Sequence, residues 1–191
     1  MNFMKFNNHR NLNGLHAVFS PSTVSWLNYD DEKALEVYTN KKAAEMGTVL
    51  HRWAKETIDL GIKQAKSKKT LNAYVNDAIQ YKMSTEVVLY YSDRFFGTAD
   101  AISFRDNFLR IHDLKTGKNP ADIKQLMIYA ALFCLEYRKK PSEIEMELRI
   151  YQNDEILCHN ATAEDIEPIM DTIIRLNKLI EQVEYGEDYE S

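Results

Sequence analysis

The stretch from Ser84 to Gly117, STEVVLYYSDRFFGTADAISFRDNFLRIHDLKTG, constrains the fold of this chain more than any other segment. It is rich in β-branched and aromatic residues, and turn-forming dipeptides interrupt it at Ser92-Asp93 and Asp106-Asn107. This combination is typical of three antiparallel strands joined by short turns. The sequence therefore predicts a three-stranded meander in the middle of the chain.

Apolar residues recur at helical spacing on both sides of this meander. The spacing predicts a short helix near Val24 and Leu27 and longer helices over 32–60, 70–83, 120–137 and 163–185, with a second hairpin around Asn153-Asp154. The segment 32–60 is either one helix or two helices with a break near Thr39 and Asn40. The inward residues expected in the last helix are Ile166, Ile169, Met170, Ile173, Ile174, Leu176 and Ile180.

This order of elements predicts an α/β (α+β) domain in which a central mixed β-sheet of about five strands is flanked by helices. With 191 residues, the chain is long enough for a single domain with its own core. We assign a helical N-terminal part to 20–83, the meander and central core to 84–138, and a C-terminal hairpin and helix to 142–186.

Composition excludes several classes of protein. Apolar residues make up 45% of the chain and charged residues 28%, which excludes a disordered chain. No apolar run approaches the roughly 20 residues of a membrane-spanning helix, so we expect no membrane association. The first residues lack a secretory signal and the two cysteines lack the C-x-x-C spacing of a metal site, so we expect a cytoplasmic protein.

The charge of the chain is uneven. A net charge of −5 argues against a protein that coats nucleic acid without specificity. Basic segments nevertheless occur at Lys63–Lys69 and Tyr137–Pro141, and a third group consists of Lys115, Lys118 and Lys124. The sequence is therefore compatible with binding of nucleic acid at a local basic surface.

A two-residue turn at Asp106-Asn107 sets the register of the hairpin that it closes. The predicted opposing pairs, from the turn outward, are Phe104–Leu109, Ile102–Ile111, Asp100–Asp113 and Thr98–Lys115. Because side chains alternate along a strand, all eight would lie on one face of the sheet. This face would be apolar near the turn and charged at the other end.

Two carboxylates in directly opposed positions destabilise a sheet unless they share a proton or a cation. Mg²⁺ prefers carboxylate oxygens as ligands, and Lys115 would point to the same side as Asp113. The alternative is a surface hairpin with solvated charges. Glu86 would lie opposite Asp100 if the first turn has three residues, Ser92–Arg94, and would face away if it has two.

The same residues resemble a known family. Glu86, the GTAD sequence that ends at Asp100, and the IHDLKTG sequence with Asp113-Leu114-Lys115 are similar to the core signature of PD-(D/E)xK nucleases, and most similar to the RecB-like exonuclease branch. The sequence GTVLHRW, with Gly47, Thr48 and His51, resembles the G-x-x-x-H helix of that branch. The sequence QLMIYAALF, with Gln125 and Tyr129, resembles its Q-x-x-x-Y helix. The resemblance covers about Ser20 to Phe133 and implies a restriction-endonuclease-like core.

The resemblance implies a role for each of these residues. His51, Asp100, Asp113 and the carbonyl of Leu114 would bind Mg²⁺ or Mn²⁺. Lys115 would be the catalytic lysine, with Asp100, Asp113 and Glu86 as the acidic residues around the reaction. Gln125 and Tyr129 would order the site or bind the DNA backbone. Apart from the resemblance, the basic residues Lys118 and Lys124 are expected to follow that backbone.

Two features depart from the family pattern. The second acidic residue is Asp113, where many relatives have Glu. Some CRISPR-associated relatives bind an iron–sulfur cluster through four cysteines, and with two cysteines we expect no such cluster here.

The function that the resemblance implies is that of a Mg²⁺- or Mn²⁺-dependent deoxyribonuclease, an exonuclease that hydrolyses phosphodiester bonds in recombination, repair or phage DNA processing. A structure-selective or nicking endonuclease is the alternative within the same class. The alternatives from other classes are a catalytically inactive nucleic-acid-binding or regulatory protein with the same fold and an interaction module. The expected partner is DNA, and a homo-oligomer or a recombination partner protein is compatible with the resemblance.

Overall fold

The structure is a computed structural model that describes residues 17–117 and 119–187. The elements, in chain order, are a short 3-10 helix (Val24–Asn28), α1 (Asp31–Asp59), α2 (Thr70–Gln80), β1 (Ser84–Ser92), β2 (Phe95–Arg105), β3 (Phe108–Leu114), α3 (Lys124–Glu136), a 3-10 turn (Pro141–Glu143), β4 (Glu145–Gln152), β5 (Glu155–Ala161) and α4 (Ala163–Glu187).

The five strands form one mixed sheet in the order β1-β2-β3-β4-β5. Neighbouring strands are antiparallel except for β3 and β4, which are parallel. A parallel pair requires a long crossover, and α3 supplies it here. The fold class is thus α+β with a five-stranded mixed sheet flanked by helices, which confirms the coarse prediction.

The described residues fall into two compact units, one that ends at Met46 and one that begins at Gly47. In the first unit, the indole N–H of Trp26 donates a hydrogen bond to the carbonyl of Ser20 at 2.9 Å. The second unit contains the whole sheet. Whether the chain is a single domain stays a prediction.

Both predicted two-residue hairpin turns are confirmed. Asp106 and Asn107 have φ angles of 50° and 59°, and Asn153 and Asp154 have φ angles of 51° and 61°. Two consecutive left-handed residues form a type I′ turn, which matches the twist of antiparallel strands. Asn and Asp tolerate this conformation better than most residues do, which explains why these dipeptides mark the turns.

For the segment 32–60 the structure selects the first of the two alternatives, a single helix, and for the third long helix it differs from the prediction. Residues 31–59 form one continuous helix without a break at Thr39 and Asn40. Neither residue is Pro or Gly, so their weak helix propensity costs only tenths of a kcal/mol. The third long helix begins at Lys124 and not at Pro120. In the segment that precedes it, the N–H of Ala121 donates a hydrogen bond to the side chain of Gln152.

The end of α1 follows the prediction closely. Gly61 has a φ angle of 68°. Its N–H donates to the carbonyl of Ile58, and the N–H of Ile62 donates to the carbonyl of Thr57. This pair of bonds is the Schellman motif, in which a left-handed glycine ends a helix.

Apolar clusters cover both faces of the sheet. One cluster joins the sheet to α3 and α4, and the predicted inward residues Ile166 and Ile173 are buried in it. The other joins the sheet to α2 and to the last turns of α1. Ile180 was predicted to face inward, but it is 36% exposed. None of the helices in the described part of the chain is both long enough and apolar enough to cross a membrane.

Candidate active site at the end of the third strand

The hairpin register is confirmed near the turn. Phe104 pairs with Leu109 and Ile102 pairs with Ile111, and all four side chains pack in the same cluster. The ladder ends one step later, at Ala101–His112. The predicted pairs Asp100–Asp113 and Thr98–Lys115 are therefore not part of it.

The reason lies in the side chain of Asp100. The N–H of Lys115 donates to the carbonyl of Tyr151 on β4. Since N–H groups alternate in direction along a strand, the N–H of Leu114 points toward β2. This N–H donates to Oδ2 of Asp100 at 3.0 Å. The carboxylate of Asp100 thus accepts a hydrogen bond from the N–H that the next residue pair of the two strands would otherwise use.

The carboxylate of Asp100 also contacts the predicted histidine. Nδ1 of His51 lies 3.4 Å from Oδ2 of Asp100, with the two side chains 32% and 22% exposed. The hydrogen bond with Asp100 raises the pKa of His51, whereas partial burial opposes the shift. The C-terminal part of α1 thus brings His51 to the carboxylate of Asp100.

The second acid, Asp113, is almost completely buried at 3% exposure. Nζ of Lys115 donates a hydrogen bond to its Oδ1 at 3.2 Å and lies 3.0 Å from its Oδ2. The second contact is an ion pair without hydrogen-bond geometry, so Oδ2 accepts no hydrogen bond. Burial first, and the charge of Asp100 second, raise the pKa of Asp113.

Gln125 and Tyr129 of α3 extend this chain of contacts. Oε1 of Gln125 accepts a hydrogen bond from Nζ of Lys115 at 2.8 Å. Nε2 of Gln125 donates to the hydroxyl of Tyr129 at 3.3 Å. The two residues lie one turn apart on the same helix face, which is why both reach the end of β3.

Glu86 lies across from Asp100 on β1, because its neighbours Thr85 and Val87 pair with Ala101 and Ala99. The register shift near Ser92 gives the strand pair the alignment that a three-residue turn would give. Glu86 itself is exposed and has a φ angle of 47°. A positive φ is uncommon for a glutamate, and such strain clusters at functional sites.

The predicted glycine of α1 has a specific role. A Cβ atom on Gly47 would lie 2.6 Å from Oγ1 of Thr116. The absence of a side chain thus allows α1 to approach the loop that follows Lys115. Thr116 thus occupies the space next to Gly47 that a side chain would otherwise fill.

Three further predictions concern Lys124, Leu114 and Lys118. Lys124 is exposed at the start of α3, and Leu114 is the last residue of β3. The prediction for Lys118 lies outside the described residues. The basic segment at Lys63–Lys69 is largely exposed.

The donor atoms at this end of the sheet have the chemistry that Mg²⁺ or Mn²⁺ requires. Two carboxylates and a backbone carbonyl are the hard oxygen ligands that Mg²⁺ and Mn²⁺ prefer, whereas an imidazole is a nitrogen ligand more typical of zinc, copper, iron and nickel sites. The buried Oδ2 of Asp113, which accepts no hydrogen bond, supports this assignment. Within residues 17–117 and 119–187, however, no three His, Cys, Asp or Glu side chains lie close enough together to hold a metal ion as they stand.

A second polar cluster lies on the α2 side of the sheet, and no sequence motif predicted it. The hydroxyl of Tyr151 donates to Asp77 at 2.7 Å and lies 3.2 Å from Nδ1 of His112. Arg149 bridges Asp77 at 3.1 Å and Glu147 at 2.9 Å. Glu147, Arg149 and Tyr151 alternate along β4, but Asp77 and His112 come from other parts of the chain, so no local motif could have identified the whole cluster.

Comparison with known proteins provides no relative. No protein-family model, curated protein or solved structure matches this chain.

Proposed function

We propose that this protein is a metal-dependent deoxyribonuclease, and that exonucleolytic cleavage is its activity. The observation that carries the proposal is the arrangement at the end of β3. There, buried Asp113 is paired with Lys115, and Asp100 contacts both His51 and the neighbouring backbone. Two acids and a lysine at the end of adjacent strands suit the hydrolysis of a phosphodiester bond. The nuclease resemblance of the sequence rests on the same residues.

In this proposal, Asp100 and Asp113 hold a divalent cation together with His51 and the carbonyl of Leu114. When bound, the cation supplies a water of lowered pKa and neutralises charge on the scissile phosphate. A cation bound by both carboxylates would also offset the two effects that raise the pKa of Asp113, which are burial first and the charge of Asp100 second.

The side chains of the protein contribute the remaining chemistry. Nζ of Lys115 donates hydrogen bonds to the phosphate oxygens and stabilises the negative charge that develops during cleavage. Gln125 and Asp113 both accept hydrogen bonds from this ammonium group and so fix its position. His51 orients the carboxylate of Asp100.

The test is cleavage of linear and covalently closed circular duplex DNA in the presence of Mg²⁺ or Mn²⁺. We expect the wild type to degrade only the linear form, and both Asp113→Ala and Lys115→Ala to abolish cleavage. Asp171→Ala and Lys178→Ala are matched controls, because both side chains are exposed on α4. Cleavage of circular DNA would indicate the endonuclease alternative. Unchanged cleavage by Asp113→Ala would contradict the proposed site.

One observation favours a second candidate function, a catalytically inactive protein that binds nucleic acid. In the part of the chain that the structure describes, the acidic residues and His51 do not form a closed metal-binding group. Calorimetric titration with Mn²⁺ separates the candidates. Cation binding that is lost in Asp113→Ala supports the nuclease, whereas DNA binding without cation binding or cleavage supports the second candidate.

A further inference from the structure

We propose that Gly97 is a positioning residue for Lys115 and acts through Tyr129 and Gln125. The proposal rests on the function proposed above, in which Lys115 stabilises charge on the phosphate. Gly97 lies on β2, three residues before Asp100, and pairs with Leu89 of β1.

The ring of Tyr129 packs closely against Gly97. A Cβ atom on Gly97 would lie 2.8 Å from Cε1 of Tyr129, and 3.7 Å from Cδ1 and Cζ. The edge of the ring thus rests on the backbone of β2 at a distance that no residue with a Cβ atom allows. The ring is also packed against the apolar cluster beneath α3, so it has little freedom to move aside.

Tyr129 and Lys115 contact the two ends of the Gln125 amide and so determine its orientation. An ammonium group has only donors, so Gln125 must present its oxygen to Lys115. Its Nε2 must then face away from Lys115, and the hydroxyl of Tyr129 accepts this N–H at 3.3 Å. The tyrosine therefore favours the amide orientation that Lys115 requires.

The ammonium group of Lys115 contacts both Gln125 and Asp113. Nζ of Lys115 lies 2.8 Å from Oε1 of Gln125 and 3.2 Å from Oδ1 of Asp113. It is held between a helix and a strand, so its position depends on both. A chain of direct contacts thus connects the missing Cβ of Gly97 to the lysine that the mechanism uses.

The test compares Gly97→Ala with Gly117→Ala. The two variants carry the same chemical change near the same site, but a Cβ on Gly117 meets no atom within 4 Å. We expect Gly97→Ala to lower cleavage by about 10- to 100-fold, the cost of a displaced catalytic group. Gly117→Ala should leave cleavage unchanged.

A second measurement does not depend on cleavage. The rate at which acetic anhydride acylates Lys115 at fixed pH, followed by mass spectrometry of peptides, reports how firmly Nζ is held. We expect the rate to rise several-fold in Gly97→Ala and in Tyr129→Phe, which keeps the ring but removes the acceptor of the Gln125 amide. It should not rise in Gly117→Ala.

A double variant tests the route of the effect. In a Tyr129→Ala background the ring is absent, so Gly97→Ala should cause no further change in the acylation of Lys115. An equal effect in both backgrounds would overturn the route through Tyr129. If Gly97→Ala does not fold in the wild-type background, it should fold in the Tyr129→Ala background, and failure to fold there as well would overturn the route through Tyr129.

Different results would contradict the nuclease function and the positioning role of Gly97. Absence of cleavage by the wild type would contradict the nuclease function, and the acylation rates would still decide the role of Gly97. Lost cleavage with unchanged acylation in Gly97→Ala and Tyr129→Phe would overturn the positioning role while the nuclease function stands.

Discussion

The N–H of Leu114 donates a hydrogen bond to Oδ2 of Asp100 at 3.0 Å, at the point where the pairing of β2 with β3 stops. A side chain expected to bind a cation therefore also completes the hydrogen bonding of the sheet. The structural and the proposed catalytic roles of Asp100 can be separated, because an amide retains an acceptor and loses the charge.

We expect Asp100→Ala to lower the free energy of unfolding by about 1–3 kcal/mol, because it leaves the Leu114 N–H without its acceptor. Asp100→Asn should recover most of this loss, yet both variants should lose cation binding. Urea denaturation and Mn²⁺ titration measure the two effects. Equal stabilities of the two variants would contradict the structural role.

Replacement of Asp113 should, in contrast to that of Asp100, increase the stability of the fold while it removes the response to Mg²⁺. The pKa of Asp113 is raised mainly by burial. Its charged form therefore destabilises the fold once the pH exceeds the ordinary pKa of an aspartate side chain. Asp113→Asn should therefore raise the melting temperature at pH 7 by about 2–4 °C, which corresponds to about 1 kcal/mol in a chain of this size. Mg²⁺ should stabilise the wild type and not the variant.

The control for Asp113→Asn is Asp106→Asn in the turn of the same hairpin. Asn suits the left-handed conformation of that position as well as Asp does. We expect it to change neither the melting temperature nor the response to Mg²⁺. A lower melting temperature for Asp113→Asn would show that the pair with Lys115 outweighs the cost of burial.

The sequence predicted the strands because their signals are local. The Asp106-Asn107 turn alone determined the pairing of Phe104 with Leu109, since the register of a two-residue hairpin follows from its turn. The end of the ladder at Ala101 could not be predicted in this way. It depends on the hydrogen bond from Leu114 to the Asp100 side chain, a contact that periodicity does not encode.

The same limit applies to the candidate site. Asp113 and Lys115 are two residues apart at the end of β3, so their proximity was predictable. The contact of Gly97 with the ring of Tyr129 joins a strand to a helix from a different part of the chain. A glycine within a strand indicates close approach of another group but does not identify it.

Stability should depend on the protonation of His51. Its pKa is raised above the ordinary value of 6.5, first by the hydrogen bond with Asp100, and the charge of Asp113 contributes while that of Lys115 opposes. The stabilisation is therefore fully present below pH 6.5 and is lost as the pH rises through the raised value. We expect the melting temperature of the wild type to fall across this range relative to that of His51→Gln. Parallel curves for the two proteins would contradict the contact with Asp100.

Replacement of Gly47 brings two effects into competition. Alanine is favoured over glycine inside a helix by about 1 kcal/mol, but the new Cβ would lie 2.6 Å from Oγ1 of Thr116. Overpacking costs about 1–3 kcal/mol, so we expect Gly47→Ala to destabilise the wild type. In a Thr116→Ala background the same change should stabilise by about 1 kcal/mol. The free energies of unfolding in urea provide the comparison, and equal effects in both backgrounds would show that Thr116 does not restrict this position.

His112 should give the opposite pH response to His51. Burial, followed by the charges of Arg149 and Arg110, lowers the pKa of His112 to about 3. Between pH 6.5 and that value the unfolded chain binds a proton that the folded protein does not bind. The stabilisation is therefore present above pH 6.5 and is lost as the pH falls, by up to about 1.4 kcal/mol per pH unit.

We expect His112→Gln to have a weaker acid dependence than the wild type in urea denaturation at pH 6.5, 5.5 and about 4.5, below the ordinary pKa of histidine. Carboxylates that titrate in this range contribute equally to both proteins, so the difference between the two slopes isolates the imidazole. Glu147 is the one acidic group close to this imidazole among the described ion pairs, with Oε1 at 3.9 Å from Nε2. If its charge dominated over burial and the two arginines, His112 would be protonated in the folded protein. The wild type would then be no more sensitive to acid than the variant, and equal slopes would show that the charge of Glu147 prevails.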